Sequence, residues 1–233
     1  MTADIALWLV QDGVTTGAIY ALLALALLLV FAVTRIIFVP QGDFLSYAGL
    51  SLGLLQLGKV PGTLWLLLGA AMLVAVIEAT QALRAGQPAR LLRIAAIYLG
   101  APLALAAFTV WAAPRQFGFA VQAAIVAALV VPLGPLLYRI AYRPLAQASV
   151  LVLFIVSMAV HYALTGLALA LFGGEGLRTN AVSDATFQLG VLRIGAQSLW
   201  VVGASLACML ALWLFFERRP SPPKNARPSP VSM

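Results

Sequence analysis

Residues 17–53, GAIYALLALALLLVFAVTRIIFVPQGDFLSYAGLSLG, decide the fold because they join two apolar runs through a short polar break. The 22 residues from Gly13 to Thr34 carry no formal charge, which is long enough for a helix to cross a hydrocarbon core of about 30 Å. The break from Arg35 to Asp43 contains a proline, a glycine and a carboxylate. In a bilayer such a segment persists only where protein or a water-filled cavity covers it. The break is therefore predicted to lie either at a membrane surface or inside a pathway.

The composition is that of an integral membrane protein. Hydrophobic residues make up 63% of the chain, charged residues make up 9%, and the mean hydropathy is +1.03, whereas soluble domains are about 25% charged. The apolar runs are continuous rather than alternating, which predicts an all-α polytopic helical bundle in the lipid bilayer. The net charge is +7, and most of the basic residues lie between the apolar runs. That distribution is typical of membrane-protein loops and argues against a nucleic-acid partner.

Charge-free windows predict about seven spans within a transmembrane domain of residues 1–217. The windows are 13–34, 44–58, 60–77, 94–114, 116–138, 144–174 and 194–216. The second window is short for a full crossing. We therefore expect this window either to be lengthened by a snorkelling Lys59 or to be preceded by a half-helix at 36–40. The sequence predicts a broken helix near residues 36–44.

Lysine and arginine counts predict the orientation. With the N-terminus outside and the C-terminus inside, ten basic residues lie on the inner side and four on the outer side, as the positive-inside rule requires. Arg139 and Arg143 are interpreted as cytoplasmic anchors. On this topology residues 173–197 form a periplasmic loop that is long enough for a short strand pair or an interfacial helix, and FQLGVLRI has the pattern of a β-hairpin. The Pro- and Ser-rich residues 218–233 form a disordered cytoplasmic tail.

Two ionisable residues in apolar surroundings have open interpretations. Asp43 either caps a helix that starts at Phe44, with Pro40 and Gly42 in a surface turn, or it lies in a substrate path. His161, in the middle of window 144–174, is either a hydrogen-bonded interhelical residue or a substrate or proton contact. The pairs Gly13/Gly17 and Gly49/Gly53 have the small-xxx-small spacing that allows close helix packing.

No set of residues predicts catalysis. The chain has one histidine, one cysteine, no phosphate-binding glycine loop and no set of metal ligands. We therefore expect a protein that is not an enzyme and has no cofactor or metal. Glu78 is interpreted as paired with Arg84 or snorkelling, with a carboxylate in the path as the alternative.

Four segments resemble the branched-chain amino acid ABC importer permeases, also described as inner-membrane translocators. They are DGVTTGAIYALLALALLLVFAVTRII at 12–37, QGDFLSYAGLSLG at 41–53, AYRPL at 141–145 and LTGLALALFG at 164–173. They occur in the family's order and cover roughly residues 12–218.

The resemblance implies a multi-pass protein of the bacterial inner membrane that carries branched-chain amino acids or related small molecules. Its partners would be a second permease subunit, two cytoplasmic ABC ATPases, which would hydrolyse the ATP, and a periplasmic substrate-binding protein. The resemblance also suggests a broken helix beside the translocation path. The candidate path residues are Tyr20, Gln41, Gly42, Asp43, Phe44 and His161.

The chain departs from the family after residue 217. There the family continues into a cytoplasmic loop with a coupling helix that docks on the ATPase, whereas this chain continues as the Pro- and Ser-rich tail. The alternative interpretation is therefore a truncated permease fragment that does not transport and acts at most as a membrane scaffold.

Overall fold

The structure, a computed structural model, describes residues 3–87, 89–180, 186–189 and 192–217. The predicted tail at 218–233 lies outside the described residues. The chain begins with α1 (Ala3–Thr34), α2 (Gln41–Gln56) and α3 (Thr63–Arg84). A continuous helical run follows, made of α4 (Ala89–Ala95), a π-helical turn (Ala96–Gly100), α5 (Ala101–Ala112) and a 3-10 turn (Ala113–Arg115).

A second helical run and two further helices complete the described chain. This helical run consists of α6 (Phe119–Val130), α7 (Leu133–Leu137), a π-helical turn (Tyr138–Tyr142) and a 3-10 turn (Arg143–Leu145). Then come α8 (Val150–Phe172), strands β1 (Thr186–Leu189) and β2 (Leu192–Gly195), and α9 (Ala196–Glu217).

The prediction of an all-α multi-pass bundle is confirmed. Among the described residues, six helical runs are long and apolar enough to cross a membrane: Trp8–Thr34, Thr63–Arg84, Ala89–Arg115, Phe119–Leu145, Val150–Phe172 and Ala196–Leu214. The remaining predicted window, 44–58, corresponds to α2. With 16 residues, α2 is about 24 Å long, so by itself it is shorter than the hydrocarbon core.

The chain forms two compact units. One contains Met1–Ala26 and Val182–Met233, and the other contains Leu27–Ala181. In the first unit β1 and β2 pair antiparallel, with Phe187 opposite Ile194 and Leu189 opposite Leu192. The predicted hairpin at FQLGVLRI is therefore confirmed.

The core of the second unit lies between α2, α3, α5, α6 and α7. Large side chains such as Leu55, Leu67 and Leu129 are at most 2% exposed, and small ones such as Ala71 and Ala106 fill the closer approaches. The Ser51 and Thr63 hydroxyls lie 2.5 Å apart in a buried hydrogen bond between α2 and the start of α3. This bond satisfies polar groups that would be costly to leave unpaired in an apolar interior.

Helix α2 runs parallel to the second half of α8. The buried Tyr47 donates a hydrogen bond from its hydroxyl to the Leu164 carbonyl at 2.8 Å. Towards the C-terminal end of α2, the Gln56 side-chain oxygen accepts from the Asn180 backbone N–H at 2.7 Å, beyond the end of α8. Helix α2 therefore begins beside the middle of α8 and ends beyond its C-terminus.

Gly62 and Gly69 provide a matched test of this packing. A Cβ on Gly62 would lie 2.9 Å from the Leu171 Cβ and 3.1 Å from its carbonyl oxygen, whereas Gly69 has open space. Gly62→Ala is expected to destabilise the protein by about 1–3 kcal/mol through overpacking, and Gly69→Ala, inside α3, to stabilise it by about 0.5–1 kcal/mol. Unfolding in detergent measures both. Equal effects of the two substitutions would contradict the close approach of α3 and α8.

Candidate functional site

The break between α1 and α2 is anchored inside the second unit. Arg35 ends α1 with a φ of 56°, and the following residues are not helical. Ile36 is buried in a cluster with Tyr142 and Leu153, and the Phe38 ring lies 5.9 Å from that of Tyr142. Protein side chains therefore cover irregular backbone at this point, as a segment within a bilayer requires.

The half-helix expected at 36–40 is not formed, so that prediction is wrong. Residues 35–38 have no regular structure and residues 39–40 form a turn. The left-handed backbone at Arg35 interrupts the helical path, and Pro40 disfavours helical geometry at the residue before it.

Asp43 lies in the first turn of α2 but does not cap it. Pro40 occupies the N-cap position, and no side chain supplies a cap hydrogen bond. The backbone N–H groups of Asp43 and Phe44 donate to the Pro40 carbonyl at 3.0 and 3.2 Å. The turn that was expected at Pro40 and Gly42 is therefore present, but the Asp43 carboxylate does not cap the helix.

The Asp43 carboxylate binds two side chains of α8. Its Oδ2 lies 2.8 Å from Nδ1 of His161, and its Oδ1 accepts from the Thr165 hydroxyl at 3.4 Å. The two α8 residues are four apart and therefore share one face of the helix. Because an ionised carboxylate only accepts, Nδ1 of His161 carries the hydrogen and donates it. Among the residues that the structure describes, none hydrogen-bonds to the second ring nitrogen, Nε2.

The pair lies at the middle of a predicted span. His161 is the twelfth of the 23 residues of α8, and such a helix is about 34 Å long. With α8 across a hydrocarbon core of about 30 Å, Asp43 and His161 lie near its midplane. The Asp43 side chain is 11% exposed and that of His161 is 34% exposed. Ionisable groups at this depth are costly in contact with lipid and normally face a protein interior or an aqueous cavity.

The structure brings some of the predicted path residues together. Asp43 contacts His161, and the ring of Phe44, the next residue, lies 5.5 Å from that of Phe38. Gln41 is half-buried and Gly42 is exposed in the same turn. Tyr20 lies on α1, in the other compact unit, and is 67% exposed.

Sequence reasoning missed Thr165 and Tyr47. The one sequence signal for each of them is its spacing from a predicted site residue. Thr165 is four residues after His161, and Tyr47 is four residues after Asp43. Residues four apart lie on one helix face, so a polar residue at that distance from a predicted site residue is the signal that would have identified each of them.

The predicted packing glycines differ from one another. A Cβ on Gly53 would lie 3.2 Å from the Leu177 Cβ, which marks a close approach. At Gly13, Gly17 and Gly49, the described residues place no atom within 4 Å of that position. Close helix packing at these three glycines therefore stays a prediction.

A second charged cluster lies where α3 ends. Nη1 of Arg139 lies 2.8 Å from Oε1 of Glu78, and Arg143 pairs with the same oxygen. The Arg139 guanidinium also lies 5.2 Å from the centre of the Tyr98 ring. Glu78 is thus paired, as one interpretation expected, but with these two arginines instead of Arg84.

The comparisons with known proteins identify no relative: no family model, curated protein or solved structure matches the chain. Among the described residues, no three or more His, Cys, Asp and Glu side chains are placed to hold a metal ion together. The candidate site therefore depends on the geometry around Asp43.

A double-mutant cycle tests the pairing of Asp43 with His161. Asp43→Asn and His161→Gln are each expected to destabilise the folded protein, and the double variant to lose less than the sum of the two. Direct contacts of this kind give coupling energies of about 0.5–3 kcal/mol. Unfolding in lipid nanodiscs measures the cycle. Tyr162→Phe, next to His161 on α8, is the control, and additive losses would contradict the contact.

Proposed function

We propose that this chain is a membrane-spanning permease subunit of an ATP-driven importer for branched-chain amino acids or related small molecules. Its partners are a second permease subunit, two cytoplasmic ABC ATPases and a periplasmic substrate-binding protein. The membrane is the bacterial inner membrane. The four segments that resemble this family support the proposal. Two of them contain site residues: Asp43 lies in the segment 41–53, and Thr165 lies in the segment 164–173.

The observation that carries the proposal is the position of the Asp43–His161 pair. A short helix begins at mid-depth after a non-helical break, and its first turn presents a carboxylate bonded to a neighbouring helix. Discontinuous helices at mid-depth are the sites at which many transporters bind substrates. A purely structural helix would avoid the cost of placing this carboxylate in an apolar layer.

The chemistry of the first turn of α2 favours recognition of a cationic group. The N–H groups of Gln41, Asp43 and Phe44 already donate to backbone carbonyls, so they are not free to bind a carboxylate. Asp43 adds a negative charge at this point, and each of its oxygens can accept more than one hydrogen bond. We infer that the ammonium group of an amino acid binds here, with Nε2 of His161 beside it.

The second permease subunit completes the path in this proposal. Tyr162 is 67% exposed, and Thr165 is also exposed on α8 next to the half-buried His161. Polar groups at this depth require a cover other than lipid. A second subunit packed against this face of α8 supplies that cover and encloses a channel between the two chains.

Charge supports the proposed orientation, with the N-terminus outside and the C-terminus inside. Within the second unit, Arg84, Arg90, Arg93, Arg139 and Arg143 lie near the end of the bundle where α3 ends. Lysine and arginine are concentrated on cytoplasmic sides. The proposal therefore assigns that end of the bundle to the cytoplasmic side.

Assembly is tested by purification of the tagged full-length chain from its native membranes. We expect an ABC ATPase and a second permease to co-purify, because transport by this class requires both. A well-folded chain that is recovered without an ATPase would contradict the proposed function.

Uptake tests the role of the site. Asp43→Asn in the assembled transporter is expected to lower leucine uptake into proteoliposomes roughly tenfold or more, since hydrogen bonds to charged groups contribute about 1.5–3 kcal/mol. Glu175→Gln, the same change in an exposed carboxylate after α8, is the control and should leave uptake unchanged. Equal uptake by the two variants, with the ATPase still bound, would exclude Asp43 from the path.

A further inference from the structure

A basic recess lies at the same end of the bundle as Glu78. It has a volume of about 480 Å³ and is lined by Arg90 and Arg93 from α4, by Arg139 and Arg143 from the turns after α7, by Glu78 from α3 and by Tyr98. The four arginines and one glutamate give this recess a formal charge of +3. A bound anion would offset that excess.

The four arginines of the recess differ in whether they form an ion pair. Glu78 pairs with Arg139 and Arg143. Within the part of the chain that the structure describes, Arg90 and Arg93 make no ion pair with any carboxylate. Guanidinium groups that converge on one cavity favour phosphate, because their planar N–H groups match its oxygens in pairs.

An apolar groove adjoins the recess. It has a volume of about 310 Å³ and shares Ile97, Tyr98 and Arg139 with the recess; its other lining residues include Pro102, Leu105 and Leu136. From Ile97 to Leu105 the helical rise is about 12 Å. Pro102 is the middle residue of the span Ala89–Arg115, so the groove extends from the basic end past the middle of this span.

We propose that the recess and the groove together bind an anionic phospholipid. The phosphate is held by Arg90 and Arg93, with Arg139 at the boundary, and an acyl chain lies in the groove. Basic pockets between transmembrane helices are known sites for anionic headgroups on the cytoplasmic side. This inference does not depend on the proposed transport function.

The joined cavities favour a lipid over an acidic segment of a partner protein. A carboxylate would satisfy the arginines but leave the groove empty, because the groove runs at hydrocarbon depth. A phospholipid places its charge and its chain in the two cavities at once. The shared chemistry is a phosphate group, so free phosphate is the other possible source of the ligand.

Binding is tested on the purified full-length chain in detergent. Native mass spectrometry and thermal unfolding are followed with phosphatidylglycerol, with phosphatidylcholine and with inorganic phosphate. We expect phosphatidylglycerol to bind and stabilise, and phosphatidylcholine to do so much less. Stabilisation by inorganic phosphate equal to that by phosphatidylglycerol would overturn the lipid proposal in favour of a free phosphate site.

Single-charge variants locate the site. Arg90→Gln and Arg93→Gln are each expected to weaken phosphatidylglycerol binding roughly fivefold, the effect of one basic residue near an anionic lipid surface. Arg84→Gln removes the same charge at the same end, but Arg84 does not line the recess, so it is the control. Equal losses in all three variants would indicate a diffuse surface effect and overturn the site.

Two further variants are expected to change lipid binding in opposite directions. Glu78→Gln adds to the positive excess and is expected to strengthen phosphatidylglycerol binding, even though it removes the partner of Arg139 and Arg143. Ala101 also lines the groove. Ala101→Phe narrows the groove and is expected to weaken binding of the long-chain lipid while leaving binding of a dibutanoyl analogue unchanged. Loss of ATPase co-purification in Arg90→Gln, with lipid binding intact, would instead assign the recess to a protein partner.

Discussion

A carboxylate at mid-depth in an apolar bundle needs a bonded partner, and the 2.8 Å contact between Asp43 and His161 supplies it. Several features of the second unit accompany this contact. Helix α2 starts beside the middle of α8 and runs parallel to it, and Tyr47 bonds to α8 one turn later. The non-helical chain before α2 is covered by Tyr142. Protein side chains thus cover much of the break in the chain.

The two charged clusters differ in their position along the helices and in the ratio of acidic to basic residues. At the middle of α8 one carboxylate contacts one histidine and one hydroxyl, so this cluster is small and carries the formal negative charge of Asp43. At the end of α3 one carboxylate faces four arginines, which leaves a permanent positive excess. A single, partly exposed negative charge suits a transient cationic ligand, whereas a permanent positive excess beside an apolar groove suits an anionic ligand that stays bound. The proposed solute path and the proposed lipid site follow from this difference.

Some side-chain partners follow from spacing along one helix, and others do not. Thr165 is placed with His161 by helical periodicity alone. By contrast, Glu78 lies six residues before Arg84 on α3, and its actual partner Arg139 is 61 residues away. Likewise, among the glycines of α2, only Gly53 has a near neighbour. The face of a helix that meets another element depends on how all the helices pack together.

The sequence by itself determined the membrane class, the helical fold, nearly all of the span positions, the hairpin and the break after Thr34, because hydropathy, helix length and the backbone limits of proline are local properties. It also marked Asp43 and His161 as residues that need an explanation in an apolar layer. Only the tertiary structure paired them across 118 residues, replaced the expected half-helix at 36–40 with anchored irregular chain, and joined the recess to the groove. Those outcomes depend on packing between distant segments, and no local pattern encodes such packing.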